Sequence, residues 1–199
     1  IYGYAGNDTL YANDTDTGGE DDANNFLYGG AGNDTLISAQ GSDTLDGGSG
    51  TDTLTGGSGT DTFIIRENDG STTLADADVM TDFTNGTDVI GMDSVAYDDL
   101  TIAQGSGDYA SHTLISITAT GEYVLVLQNT TASNVTAADF SNTSTEAQTF
   151  TGTSGNDTFV GGAGNDTFNG GAGSDELYGH GGNDTFNITG KSGAFTDTI

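Results

Sequence analysis

Large apolar residues recur along this chain at intervals of nine. They stand at Leu27, Leu36, Leu45, Leu54 and Phe63, and again at Phe150, Phe159, Phe168, Leu177 and Phe186. Most are preceded by threonine and flanked by polar residues. A strand alternates its faces, so each triplet predicts a short strand with the apolar residue inward and its neighbours outward. The six residues between triplets follow G-G-x-G-x-D, as in "GGSGTD" (56–61) and "GGAGND" (161–166). Glycines there permit positive φ and close backbone approach, so each hexapeptide predicts a chain reversal. Two nonapeptides then form one coil with two strands, one in each of two sheets, and coils stack at about 4.8 Å. This register places Asp34 against Asp52, Asp43 against Asp61, Asp157 against Asp175 and Asp166 against Asp184. An earlier copy holds Asp8 and Leu10. Leu27 follows Leu10 by 17 residues, so "ANDTDTGGEDDANN" (12–25) carries an irregularity, and Asn25 stands where an aspartate is expected.

The pattern changes over residues 64–145. Glycine becomes sparse, and "HTLISIT" (112–118) and "EYVLVLQ" (122–128), joined at "ATG", predict a β-hairpin. A solenoid needs a terminal cap to close its core. This segment has the apolar residues for one: Val79, Phe83, Val89, Ile90, Leu114, Ile117, Val124 and Val126. The second array leads into "DTFNITGKSGAFTDTI", which parallels "DTFIIRENDGSTTLADADVMTDF", and Asp184 follows Asp61 by 123 residues. An array-plus-cap unit therefore repeats. The predicted organisation is a first β-roll array over 1–64, a β-cap over 65–145, a second array over 146–190 and the start of a second cap over 191–199. The chain begins and ends within repeats and reads as a piece of a longer one.

Composition narrows the function. Of 199 residues, 30 are Asp or Glu and two are Lys or Arg (Arg66 and Lys191), for a formal charge of -28. Such a surface repels nucleic acid and anionic membranes and attracts cations. High charge with few apolar residues describes a disordered chain, but periodic glycine and aspartate point instead to a chain that orders with a ligand. There is no cysteine, so disulfides and thiolate metal sites are excluded. The longest apolar run, "YVLVL" (123–127), is too short to span a bilayer.

One apolar side chain per nine residues is too little to order nine backbone units. Stacked carboxylates about 5 Å apart repel by roughly 3 kcal/mol at an effective dielectric of about 20. A divalent cation between coils reverses the sign of that term. Calcium takes 6–8 oxygen ligands in flexible geometry, whereas magnesium demands a tighter octahedron. Zinc would want His or Cys, which the repeats lack. Asp76, Asp78 and Asp82 are candidates to complete the last site of the first array. "DTDTGGEDD" (14–22) resembles the start of an EF-hand loop, but its glycine is out of register and Asn25 holds the place of the closing Glu. It reads as an inserted solvated loop. "TGKSG" (189–193) lacks the first glycine of a phosphate loop, Thr185 standing there. His112 and His180 form no H-E-x-x-H, and no G-x-S-x-G is present. The N-D-T triplets are turn residues. No rank of outward threonines is long enough for an ice-binding face.

"GGAGNDTLI", "GGSGTDTFI" and "GGAGNDTFN" resemble the RTX, or haemolysin-type calcium-binding, nonapeptide, whose period is the mark of a calcium-binding parallel β-roll. "DADVMTDFTNGTDVIGM" (76–92) and "SNVTAADF" (133–140) resemble the caps of serralysin-type proteases, mannuronan epimerase R-modules and RTX adhesins. The resemblance implies an all-β fold: calcium-binding parallel β-roll arrays separated by a β-sandwich-like cap. It implies several calcium ions, held by aspartate side chains and turn carbonyls. The matching positions of the first array are Asp8, Gly30, Gly32, Asp34, Gly41, Asp43, Gly48, Gly50, Asp52, Gly57, Gly59 and Asp61. Those of the second are Gly155, Asp157, Gly162, Gly164, Asp166, Gly171, Gly173, Asp175, Gly182 and Asp184. Asn25 does not match, and His180 occupies a glycine position. The expected function is a non-catalytic, calcium-dependent structural module of a large secreted bacterial surface protein, such as an adhesin stalk, filament or S-layer. It would be exported by type I secretion and fold on calcium outside the cell. Its partners would be calcium and neighbouring copies or modules of the same protein, with no nucleic acid and no membrane insertion. The alternative is the non-catalytic region of a type I-secreted enzyme, a protease, lipase or epimerase.

Overall fold

The computed structural model describes residues 1–12, 23–187 and 196–198. The loop 14–22, the segment 189–193 and most of the predicted second cap lie outside the described residues. Each apolar triplet forms a strand, as its alternation requires. The first array contributes β1 (Tyr2–Ala5), β2 (Thr9–Tyr11), β3 (Phe26–Ala31), β4 (Thr35–Ile37), β5 (Thr44–Ser49), β6 (Thr53–Thr55) and β7 (Thr62–Arg66). The middle of the chain contributes β8 (Val79–Met80), β9 (Val89–Asp93), β10 (Leu100–Gln104), β11 (Thr113–Ile117), β12 (Glu122–Leu127) and β13 (Phe140–Asn142). The second array contributes β14 (Thr149–Thr151), β15 (Thr158–Val160), β16 (Thr167–Asn169), β17 (Glu176–Tyr178) and β18 (Thr185–Asn187), and β19 (Thr196–Thr198) follows within the predicted second cap. Among the described residues the only helical elements are single 3-10 turns, and no helix is long and apolar enough to cross a membrane.

Odd and even strands of the first array separate into two parallel sheets. The first runs β1-β3-β5-β7-β9-β13, and the second runs β2-β4-β6-β8-β12 before turning antiparallel through β11 and β10. Registers follow the sequence period: Leu27 pairs with Leu45, Leu45 with Phe63, and Leu36 with Leu54. The irregularity after Leu10 is absorbed without loss of register, since Leu10 pairs with Leu36. Leu27, Leu36 and Leu45 are completely buried. The fold is thus an all-β parallel β-roll.

The rolled sheets do not end where the glycines end. Met80 pairs with Leu54 and Ile90 with Phe63, so the cap begins by continuing both columns. Its two sheets then enclose Met92, Ile115, Leu125, Leu127 and Phe140 in the same core cluster. The hairpin forms as expected, β11 against β12, with β10 added beyond it. Four residues expected in this core are only half-buried: Val79, Phe83, Val89 and Leu114. Phe83 packs against the core cluster from its edge. Alternation explains the other three, because Met80, Ile90 and Ile115 take the inward positions beside them.

The second array stacks in two sheets, β14-β16-β18 and β15-β17, the latter extended by β19. Phe150, Phe168 and Phe186 form one column with ring centroids 4.9 and 5.0 Å apart. Phe168 and Leu177 are fully buried, while Phe150, Phe159 and Phe186 are half-exposed at the ends.

Candidate metal centre

The aspartates form ladders. Asp52 Oδ1 accepts the backbone N–H of Asp34 at 2.7 Å, and Asp61 Oδ1 accepts that of Asp43 at 2.9 Å. In the second array, Asp175 Oδ1 accepts from Asp157 at 3.2 Å and Asp184 Oδ1 from Asp166 at 2.9 Å. The ladders extend past the glycine-rich repeats. Asp34 Oδ1 accepts from Asp8 and Asp43 Oδ1 from Asn25, both at 2.7 Å. At the other end, Asp78 Oδ1 accepts from Asp52 at 2.8 Å and Asp88 Oδ1 from Asp61 at 3.1 Å.

These bonds fix one oxygen of each carboxylate and turn the other into the turn. Oδ2 of Asp8, Asp34, Asp43, Asp52 and Asp61 is buried without any hydrogen-bond partner. An unsatisfied buried carboxylate oxygen is costly unless a cation meets it. In the second array the Oδ2 atoms of Asp157 and Asp166 accept from the backbone N–H of Thr153 and Gly162, at 2.9 and 3.0 Å. Burial is the main reason that Asp52 and Asp61 are pushed up to about 6. Asp78 is pushed up to about 8, by burial first and then by the charge of Asp52.

Glycines bring carbonyl oxygens to the same place. Gly48 has φ +87 and Gly50 φ +135, and a Cβ on either would collide with the carbonyls of Gly30 and Gly32 in the preceding coil. The same overlap joins Gly30 to Tyr4, Gly32 to Gly6, Gly57 to Ala39 and Gly59 to Gly41. In the second array it joins Gly171 to Thr153, Gly173 to Gly155 and Gly182 to Gly164. Turn carbonyls therefore stand in columns along both edges of the roll. His180 adopts φ +61 in its glycine position. Among the described residues no three acidic or histidine side chains converge on one point. A cation shell here must be completed by main-chain oxygens. The donor set is all oxygen, hard and anionic, which fits calcium.

The sequence-predicted glycines and aspartates are thus brought together by stacking. Two features escaped sequence reasoning. Gly29, Gly47, Gly56, Gly161 and Gly179 each lie under Oδ2 of the aspartate five residues on, where a Cβ would collide with the carboxylate. Asp88 joins the ladder with a single glycine, Gly86 at φ +73, before it and no glycine pair; its signal is Gly86-Thr87-Asp88-Val89-Ile90, which repeats G-x-D-x-U. Of the three cap aspartates expected at the end of the first array, Asp78 joins the ladder, and Asp82 accepts from the N–H of Gly56 and Gly57 at 3.0 and 2.8 Å. Asp76 brings only its main-chain carbonyl, to the Thr51 hydroxyl.

The family model of the RTX calcium-binding nonapeptide repeat matches residues 1–16, 21–45, 28–63 and 151–186. The two arrays are RTX calcium-binding repeats. Among solved structures, the chain is similar to the AlgE6R3 subunit of the Azotobacter vinelandii mannuronan C5-epimerase. The identity is 25% and the TM-score 0.54, over 69% of this chain and 79% of that one. The AlgE6R2 subunit of the same enzyme aligns at 25% identity and TM-score 0.45, over 69% and 90%. No curated protein matches the chain. The RTX arrays and their cap make this a calcium-binding structural module.

Proposed function

We propose that this chain is a non-catalytic structural module of a large secreted bacterial surface protein, an adhesin stalk, filament or S-layer, whose arrays fold on calcium outside the cell. One observation carries the reading: buried, unpartnered Oδ2 atoms face stacked turn carbonyls along the edge of the first array. Bound calcium supplies positive charge and asks for six to eight oxygens. The chain's own part is to hold the carboxylates in register through the N–H ladder and to stack the carbonyls through left-handed glycines. The ligands are the aspartates and turn carbonyls named in the sequence analysis, joined by Asp78 and Asp88 at the end of the first array. Several ions bind, and their binding free energy becomes folding free energy. An acidic module that folds only in calcium suits export as an unfolded chain by type I secretion. Its partners are calcium and neighbouring modules of the same protein. Successive units follow the division at 1–64, 65–145, 146–190 and 191–199.

A second reading, the non-catalytic region of a secreted enzyme, is favoured by the similarity to an epimerase subunit. An anionic polysaccharide is a poor partner for this chain, because Arg66, one of its two Lys or Arg residues, is engaged by Asp46, Asp69 and Asp93. Flanking sequence separates the readings. A catalytic motif such as H-E-x-x-H or G-x-S-x-G upstream supports the enzyme, and further capped arrays support the stalk. The calcium claim is tested by circular dichroism on titration with calcium and then EGTA. A β-signal gained with calcium and lost with EGTA is expected, and a spectrum indifferent to both refutes it.

A further inference from the structure

The segment that leaves the cap and enters the second array, residues 142–148 ("NTSTEAQ"), contains neither glycine nor aspartate. It nevertheless behaves as a repeat turn. Thr149 pairs with Thr167 and Phe150 with Phe168, so residues 142–148 stack on 160–166. Ala163 N–H donates to the Ser144 carbonyl at 2.9 Å. Gly181 to Gly162, Ala172 to Thr153 and Ser58 to Ala39 make the same contact between true repeat turns. A Cβ on Gly162 would collide with the Ser144 carbonyl, and one on Gly164 with the Glu146 carbonyl. Gly48 and Gly50 meet the carbonyls of Gly30 and Gly32 in the same way. Gln148 stands in the aspartate place: its N–H donates to Asp166 Oδ1 at 2.8 Å, one more rung of the ladder. Its Oε1 is buried and unpartnered, like Oδ2 of Asp34, Asp43, Asp52 and Asp61.

We propose that residues 142–148 are a glycine-free calcium turn, and that Gln148 Oε1 is a neutral ligand of the first metal site of the second array, together with Asp166 and the carbonyls of Ser144 and Glu146. This rests on the calcium reading of the arrays. The family match in this half of the chain begins at residue 151, so the turn is invisible to the repeat pattern and shows only in the stacking. Asn25 precedes Gln148 by 123 residues and also stands in an aspartate place. Its amide is differently engaged, since Nδ2 donates to the Ala23 carbonyl at 2.8 Å. An amide in place of a carboxylate lowers the ligand charge, which weakens calcium binding. This site therefore fills last. Because one of its two turns is the exit of the cap, its filling joins the second array to the cap.

The test is calcium stoichiometry and stepwise affinity of the full chain by flow dialysis and calorimetry, for wild type, Gln148→Leu and Gln148→Glu. Gln148→Leu is expected to bind one calcium ion fewer while keeping its calcium-dependent β-signal. Gln148→Glu is expected to keep the wild-type number and tighten the weakest step by about tenfold. Unchanged stoichiometry in Gln148→Leu overturns the proposal and leaves the other sites standing. If Gln148→Leu does not fold, Gln148→Glu decides, and an unchanged weakest step overturns it. A wild-type chain that binds no calcium overturns the reading of the arrays themselves.

Discussion

Replacing Asp52 with asparagine keeps the shape of the side chain and removes its charge. Asp52 is fully buried. Its Oδ1 accepts the Asp34 N–H at 2.7 Å, which an asparagine carbonyl can also do, and its Oδ2 has no partner. Without metal, burial raises the carboxyl from 3.8 to about 6. Holding it ionised at about pH 7.5 then costs about 3 kcal/mol at most, and relaxation and water entry reduce this to about 1–2 kcal/mol. Asp52→Asn should therefore stabilise the metal-free roll. With calcium the sign reverses. Asp52 lies between Asp34 and Asp78 in its ladder, so it borders two gaps between coils. Losing a charged ligand weakens each site by about tenfold to a hundredfold, which removes about 3–5 kcal/mol of calcium-dependent stability in total. The loss outweighs the gain. The assay is circular dichroism of wild type and Asp52→Asn under two conditions. In EGTA the fold is induced with an osmolyte, whose midpoint should fall for the variant. In saturating calcium it is unfolded with urea, whose midpoint should also fall. A variant weaker in both conditions would show the carboxylate to be only a structural hydrogen-bond acceptor. One stronger in both would show a buried charge with no cation to meet it.

The pH dependence of the metal-free chain follows from the same burial. Asp52 and Asp61 stand near 6 and Asp78 near 8 in the fold, all above their unfolded value. Their contribution is fully present below about pH 4 and is lost as pH rises through 6 and then 8. In EGTA, acidifying from about pH 8 to about pH 5 should increase the β-signal, whereas with calcium the same change should raise the calcium midpoint as protons compete. A metal-free signal that falls on acidification contradicts this. Gly48→Ala meets both a left-handed φ of +87 and the Gly30 carbonyl, while Gly86→Ala meets a φ of +73 and open space. The first should cost more than about 2 kcal/mol and the second about 1 kcal/mol in calcium-saturated urea unfolding; equal losses would mean that carbonyl stacking is not what requires glycine at position 48. Arg66→Gln strands Asp46, Asp69 and Asp93, which it now bridges between β5, β9 and the cap. It should lower stability by about 2–3 kcal/mol with calcium present, and an unchanged Tm would show that the bridges contribute nothing.

The roll itself was legible because two physical requirements leave separate marks in the sequence. Burial marks one residue in nine, and turn geometry marks the glycines. Reading them together located the strands and the stacking of Asp34 on Asp52, and even the displaced copy at Asp8. What escaped lay where the two marks come apart. Asp88-Val89-Ile90 and Gln148-Thr149-Phe150 keep the ladder and the core column, but the first has only Gly86 before it and the second has no glycine at all. A glycine is needed in a turn where a carbonyl of the preceding coil presses on its Cα, or where its own aspartate folds back over it. At the start of a column there is no true repeat turn beneath, and at its end the cap reshapes the chain above. The ladder makes a weaker demand: a side-chain oxygen two residues before an inward apolar residue, and an N–H to meet it. A search for D-x-U or Q-x-U in register with an array, blind to glycine, would have found both ends. The hydrogen-bonded ladder of such a roll is therefore longer than its glycine-rich repeats, and its outermost turns are the ones whose composition gives least sign of it.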